Sequence, residues 1–242
     1  MGRSGPAAGA GGGASSLPTF VALLRGVNVG KGPRVPMAAF RELLAGLGYH
    51  GVATLLNSGN AVFRAARGTP SAHEARISEA LSRQLGVDVP VIVKPANALA
   101  AIVAECPVEA GAGDHSRILV AFTRSARDLA GLAAIGRMAV PPERFVTGRH
   151  AAYLFCASGI HESSAALALL GRPPRIATTR NWATTLKLHA LIDRSVMEVY
   201  VNSRECLTVP CTGLSGASYG ILNSGGTSKL ASLHVWELRA AR

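Results

Sequence analysis

The chain has few cysteines, few aromatic residues, few acidic side chains and no long apolar run. Its four cysteines, Cys106, Cys156, Cys206 and Cys211, show no C-x-x-C spacing, so neither a zinc site nor a disulfide framework is expected. A Cys206–Cys211 approach across a turn at Pro210 is the one pairing the spacing leaves open. Aromatic residues make up 5% of the 242 residues, too few for a base-stacking platform that grips single strands. Apolar stretches are cut by charge within a dozen residues, as Arg25 cuts the run from Leu17, whereas a spanning helix needs roughly 20 apolar residues. The first 16 residues carry Arg3 but no apolar centre, so they read as a disordered Gly/Ala tail rather than a secretory signal. A cytoplasmic protein without a membrane span is the expectation.

Acid is the scarcer charge: 14 Asp and Glu stand against 25 Lys and Arg, a net charge of +11. Of the basic residues 21 are Arg and they are scattered, which coding composition alone can produce. Between Leu17 and Arg67, however, Arg25, Lys31, Arg34, Arg41, Arg64 and Arg67 face Glu42 alone. An anionic partner is favoured there.

The hydrophobic pattern is that of an α+β protein. TFVALLRGV over 19–27 reads as a strand, and a loop with Gly26, Gly30, Gly32 and Pro33 follows it. Met37, Phe40, Leu43, Leu44 and Leu47 fall at helical spacing, with Pro36 in the first turn and Gly48 at the end. Asn57, Ser58 and Gly59 mark a tight turn between strands at 52–56 and 60–64. A helix over 73–85 and a strand over 87–94 complete the order β-α-β-β-α-β, the ferredoxin-like unit. After a short helix over 96–105 and a linker at 111–115 the order restarts. Strands are expected at 117–123, 145–147, 152–156 and 175–177, with helices at 126–135 and 163–170. A last helix over 181–193 is expected to be capped by Thr178 or Thr179. The domains are then a tail over 1–16, ferredoxin-like subdomains over 17–110 and 111–193, and an extension over 194–242. In that extension Met197, Val199 and Val201, and again Leu233, Val235 and Leu238, suggest two strands, with a Gly/Ser-rich loop over 212–228 between them.

Three motifs, LLRGVNVG with VPM downstream, NSGNAVF, and TTRNW with Thr184 and Lys187, resemble a known family, domain of unknown function 1697. The resemblance spans Pro18 to Leu191 and implies two ferredoxin-like subdomains; it implies no established activity, substrate or cofactor.

The same motifs supply the candidate ligand-binding residues: Arg25, Gly26, Asn28, Gly30, Asn57, Ser58, Asn60, Arg180 and Asn181. Glycines let backbone N–H groups converge on an oxyanion, and an Arg can fork onto it. Arg180 and Asn181 at a helix start would add the positive end of the dipole. The plainer reading is that Gly26, Gly30 and Gly59 permit turns, that Asn28 satisfies its own backbone, and that Trp182 packs into the core. The Gly26–Lys31 run departs from a nucleotide-triphosphatase loop, since its glycine gap is one residue short and Gly32 stands where Ser or Thr would hold magnesium.

Enzyme motifs are weak. Gly216-Ala-Ser218-Tyr-Gly220 has only His234 and Glu237 downstream, in the wrong order for a hydrolase triad. His161-Glu162 lacks the second metal-binding His, so no metal and no cofactor are expected. Neutral amides orient a substrate but do not abstract protons near pH 7, so a metal-independent enzyme built from these residues lacks a general base. A phosphorylated or otherwise anionic small ligand is the leading expectation. Non-specific nucleic-acid binding by the basic surface is the alternative.

Overall fold

A computed structural model describes residues 17–107, 114–171, 177–193, 196–201 and 205–210. The expected tail over 1–16, the Gly/Ser-rich stretch, Cys211 and the strand at 233–238 lie outside these residues. The described elements form an α+β protein with two four-stranded antiparallel sheets.

The first sheet has the order β2-β3-β1-β4, built from β1 (Thr19–Leu24), β2 (His50–Leu55), β3 (Asn60–Arg64) and β4 (Val91–Pro95). Helix α1 (Met37–Gly46) links β1 to β2, and α2 (Pro70–Leu85) links β3 to β4. The second sheet repeats that order as β6-β7-β5-β8. Its strands are β5 (Ile118–Thr123), β6 (Arg144–Thr147), β7 (Ala152–Phe155) and β8 (Ala177–Asn181). Helices α4 (Ala126–Gly131) and α5 (Ala133–Gly136) follow β5, and α6 (Ser164–Leu170) precedes β8. Between the halves runs α3 (Ala96–Ala104), and α7 (Trp182–Asp193) closes the second. A hairpin of β9 (Val196–Val201) and β10 (Glu205–Pro210) follows.

The unbroken apolar runs of β1 and β5 arise because each central strand is covered on both faces. Phe20, Ala22 and Leu24 point into a core with α1 and α2, where Phe40, Leu44, Ile77 and Leu81 are buried. Leu119 and Ala121 do the same under α4 and α6. The alternate residues of both strands, Val21 and Leu23 with Ile118, Val120 and Phe122, meet in one shared core with Leu99 and Ile102 of α3 and Trp182 and Leu188 of α7. The two sheets therefore bury their inner faces in a common layer.

Several boundaries move for local reasons. Helix α2 starts at Pro70 rather than His73, because the Thr69 hydroxyl accepts from Ala72 N–H at 3.2 Å and Pro70 needs no N–H partner in the first turn. The helix expected over 126–135 is two short ones, the first opened by a capping box in which Ser125 and Asp128 bond reciprocally. The expected fourth strand starts at Val91 rather than at 87. Thr178 and Thr179 are not helix caps. They lie in β8, which runs to Asn181, and the Asn181 side chain caps α7 by accepting from Thr184 N–H at 2.9 Å.

Candidate functional site

The loop after β1 and the hairpin between β2 and β3 lie side by side. Leu24 N–H donates to Gly59 O at 2.8 Å, and the Asn28 amide donates to Asn57 O at 2.9 Å. Asn28 organises its loop as a substitute for a backbone pair: its Oδ1 accepts from Val35 N–H at 2.9 Å while its Nδ2 donates to Val35 O at 2.8 Å. Its left-handed φ of 57° suits asparagine, and Gly26 and Gly30 make the loop's other left-handed turns at 65° and 48°. The Asn28 side chain is thus committed to the scaffold. Asn28→Ala is expected to lower stability by about 1–3 kcal/mol, the range for leaving partly buried partners unsatisfied, and urea denaturation measures it.

Gly59 is required by space as well as by its φ of 73°, since a Cβ there would meet Leu24 Cβ and Val27 Cγ2 at 2.6 Å. Asn60 is fully buried; its Nδ2 donates to Leu55 O at 3.0 Å and Ser58 Oγ at 2.9 Å, which shapes the hairpin. Its Oδ1 is left to accept from Arg180 Nε.

Arg180 faces inward from β8 and is 8% exposed. Besides Asn60, its guanidinium donates to Leu24 O at 2.8 Å, Ser58 O at 3.0 Å, Gly59 O at 3.3 Å, Thr179 O at 2.7 Å and Thr178 Oγ1 at 3.2 Å. Among the described residues every partner is a neutral oxygen, so the fork solders the end of β1 to the hairpin instead of facing solvent. Burial lowers its pKa to about 10, which leaves it charged at neutral pH. Arg25 crosses in the opposite sense, donating from the first half to Leu169 O at 3.1 Å and Gly171 O at 2.9 Å at the end of α6. Cations suit that helix end because its carbonyls lack partners.

Of the nine candidate residues, the side chains of Arg25, Asn28, Asn60, Arg180 and Asn181 are committed to the scaffold, while Asn57 and Ser58 take part in it as acceptors from Asn28, Asn60 and Arg180. Asn57 is exposed and Ser58 is half-buried. Beside them stand Val29, 63% exposed, and the exposed Gly30, Lys31 and Arg34. A depression of about 420 Å³ lies elsewhere, between Leu47 and Arg76, Glu79, Ala80, Arg83 and Gln84 on the outer side of α2.

Sequence reading missed Glu105 and Glu74. Glu105, just after α3, sits in a nest of backbone donors at the β6–β7 turn: Arg149 N–H at 2.9 Å, His150 N–H at 2.8 Å and Ala151 N–H at 3.0 Å. A Cβ at Gly148 would meet its Oε1 at 2.6 Å, so a larger residue there would push the carboxylate out of its nest. Burial works to raise the Glu105 pKa, but these N–H bonds and the Tyr153 hydroxyl outweigh it and hold the carboxyl below its ordinary value. Glu74 accepts from Val93 N–H at 2.9 Å and pairs with Arg124 of the second half at 3.0 Å. His73 is buried among Phe20, Tyr49 and Phe63 with Nδ1 2.9 Å from the Tyr49 hydroxyl, and its Nε2 has no partner among the described residues. Burial first, and Arg76 second, hold that imidazole below its ordinary pKa.

The family model described as "Protein of unknown function (DUF1697)" matches residues 17–153, more than half of the chain. A second model, "Glycosyl hydrolases family 32 C terminal", matches residues 118–237, just under half, and overlaps the first over 118–153. No curated protein matches. A solved structure of a conserved bacterial protein from Streptococcus pneumoniae is similar with a TM-score of 0.62 at 21% identity, over 73% of this chain and 99% of that one. That likeness is one of fold. Among the described residues no helix is long and apolar enough to cross a membrane.

Proposed function

The chain belongs to the DUF1697 family of proteins of unknown function, and on that footing we propose that it binds an anionic small molecule at the surface where the loop over 25–36 meets the hairpin over 56–59. The observation that carries this reading is the charge of Arg180. Among the described residues it has no carboxylate partner, and it lies directly beneath the hairpin, bonded to Ser58 O and Gly59 O. Carbonyl dipoles hold the guanidinium without cancelling its charge. Its field therefore persists at the adjoining surface, where low-dielectric surroundings screen it less than water would. Lys31 and Arg34, both exposed, add positive charge at that surface, with Arg34 held to the loop by donating to Gly30 O at 3.1 Å.

In this reading the sequence-derived site divides in two. Asn57, Ser58 and the loop backbone at Gly26 and Gly30 meet the ligand, joined by Lys31 and Arg34 from outside that set, while Arg25, Asn28, Asn60, Arg180 and Asn181 hold the surface in place. The finer architecture belongs to the same proposal: two ferredoxin-like units over 17–110 and 111–193 in a cytoplasmic protein. The strand orders β2-β3-β1-β4 and β6-β7-β5-β8 support it.

A thermal-shift screen with inorganic phosphate, sugar phosphates, nucleotides, carboxylates and short oligonucleotides at low and high salt tests the reading. A saturable shift from a small anion is expected, and the paired substitution Lys31→Ala with Arg34→Ala removes it without lowering the melting temperature of the unliganded protein. Shifts from oligonucleotides alone that vanish at high salt would replace this reading with non-specific nucleic-acid binding. No shift from any anion would sink it.

A further inference from the structure

We infer that this surface accepts an anion carrying a flat, apolar body, the chemical class of a nucleoside monophosphate, with Leu56 and Val29 as its apolar contacts. The inference rests on the anion-binding reading and names its ligand class.

Among the described residues, Asn28 and Leu56 are the non-glycine residues with left-handed φ, 57° and 55°. They meet at one spot, because the Asn28 amide bonds the carbonyl of Asn57, the residue after Leu56. Asparagine tolerates this conformation, but leucine gains nothing local in return for its crowded Cβ. Leu56 is also 51% exposed, so the core does not reward it either. Glycine or asparagine would serve the turn better on both counts. Backbone outliers of this kind collect where a protein meets a ligand.

Val29, 63% exposed, stands next to Asn28 on the other side of the same hydrogen bond. Asn57, exposed and next to Leu56 in the chain, accepts from Asn28 Nδ2 at 3.3 Å through its Oδ1, which leaves its Nδ2 to donate to the edge of a nitrogen heterocycle. Lys31 and Arg34 provide for the charged end. A bare phosphate would leave the two apolar side chains in water, and a neutral hydrocarbon would ignore the cations. A molecule with both parts uses every exposed group at the junction.

Calorimetric titration with adenosine monophosphate, ribose 5-phosphate and adenosine separates the parts. Adenosine monophosphate is expected to bind at least about tenfold more tightly than ribose 5-phosphate, the effect of covering most of one leucine side chain. In Leu56→Asn that ratio falls about tenfold while ribose 5-phosphate binds as before and the melting temperature does not drop, since asparagine relieves the left-handed strain. Equal wild-type affinities for the two phosphates would overturn the inference and leave anion binding intact. Binding by neither phosphate would remove the anion reading beneath it. Adenosine alone binding as tightly as its monophosphate would overturn both.

Discussion

Arg180→Ala is expected to destabilise the protein by about 2–4 kcal/mol, because it removes charge-assisted hydrogen bonds worth roughly 1.5–3 kcal/mol and leaves buried neutral oxygens short of a donor. The side chain donates to three carbonyls of the first half, Leu24, Ser58 and Gly59, and to the buried Asn60 amide. Alanine takes one donor from each of those oxygens, leaving Gly59 O with only Leu24 N–H, and opens a void where the fork had been. Arg180→Lys recovers only part of the loss, because one ammonium cannot span acceptors arranged around a planar guanidinium. Equilibrium urea denaturation of the three proteins measures both effects. A loss below about 1 kcal/mol for alanine would mean that water replaces the fork at these carbonyls, and the soldering role assigned to Arg180 would fall.

The second large effect belongs to Glu105. Glu105→Ala removes the acceptor of three backbone N–H groups at the β6–β7 turn and is expected to cost about 2–4 kcal/mol, given the strength of charged hydrogen bonds. The pH dependence carries a sign. Folding lowers the Glu105 pKa below its ordinary 4.5, so this contribution is fully present above that value and is lost as the pH falls through the lower folded value. The wild type and Glu105→Gln should accordingly differ most near neutrality and converge in acid. Parallel stability curves across that window would show that the charge is not what the nest holds.

Much of the fold was legible because local and tertiary demands agree. The α1 spacing of Phe40, Leu43 and Leu44 and the stop at Gly86 each state one element, and the long apolar runs of β1 and β5 announce strands covered on both sides. The candidate loops were legible as loops, and their mutual contact through Asn28 follows from the order of strands. The direction of Arg180 was not legible. With Thr178 and Thr179 read as helix caps, Arg180 fell at an exposed helix start; as strand residues, Thr178 and Arg180 share the buried alternate positions. The β-branched pair of threonines was the signal for a strand. Glu105 left a different trace. An acidic residue at the end of a helix opposes the dipole, and that local conflict points to a partner outside the helix. Its partners lie more than 40 residues along the chain, beyond any local pattern.

The shared layer between the two sheets has a consequence for how the chain is made. Val21, Leu23, Val62 and Ile92 of the first sheet share their cover between Leu99 and Ile102 of α3 and residues from Ile118 onward, Trp182 and Leu188 among them. A nascent chain that has just completed β4 holds a sheet with one finished side and one apolar side still waiting for its cover. Until the ribosome delivers α7, that face must be kept from other molecules, so the halves are two units in topology and a single unit in biosynthesis.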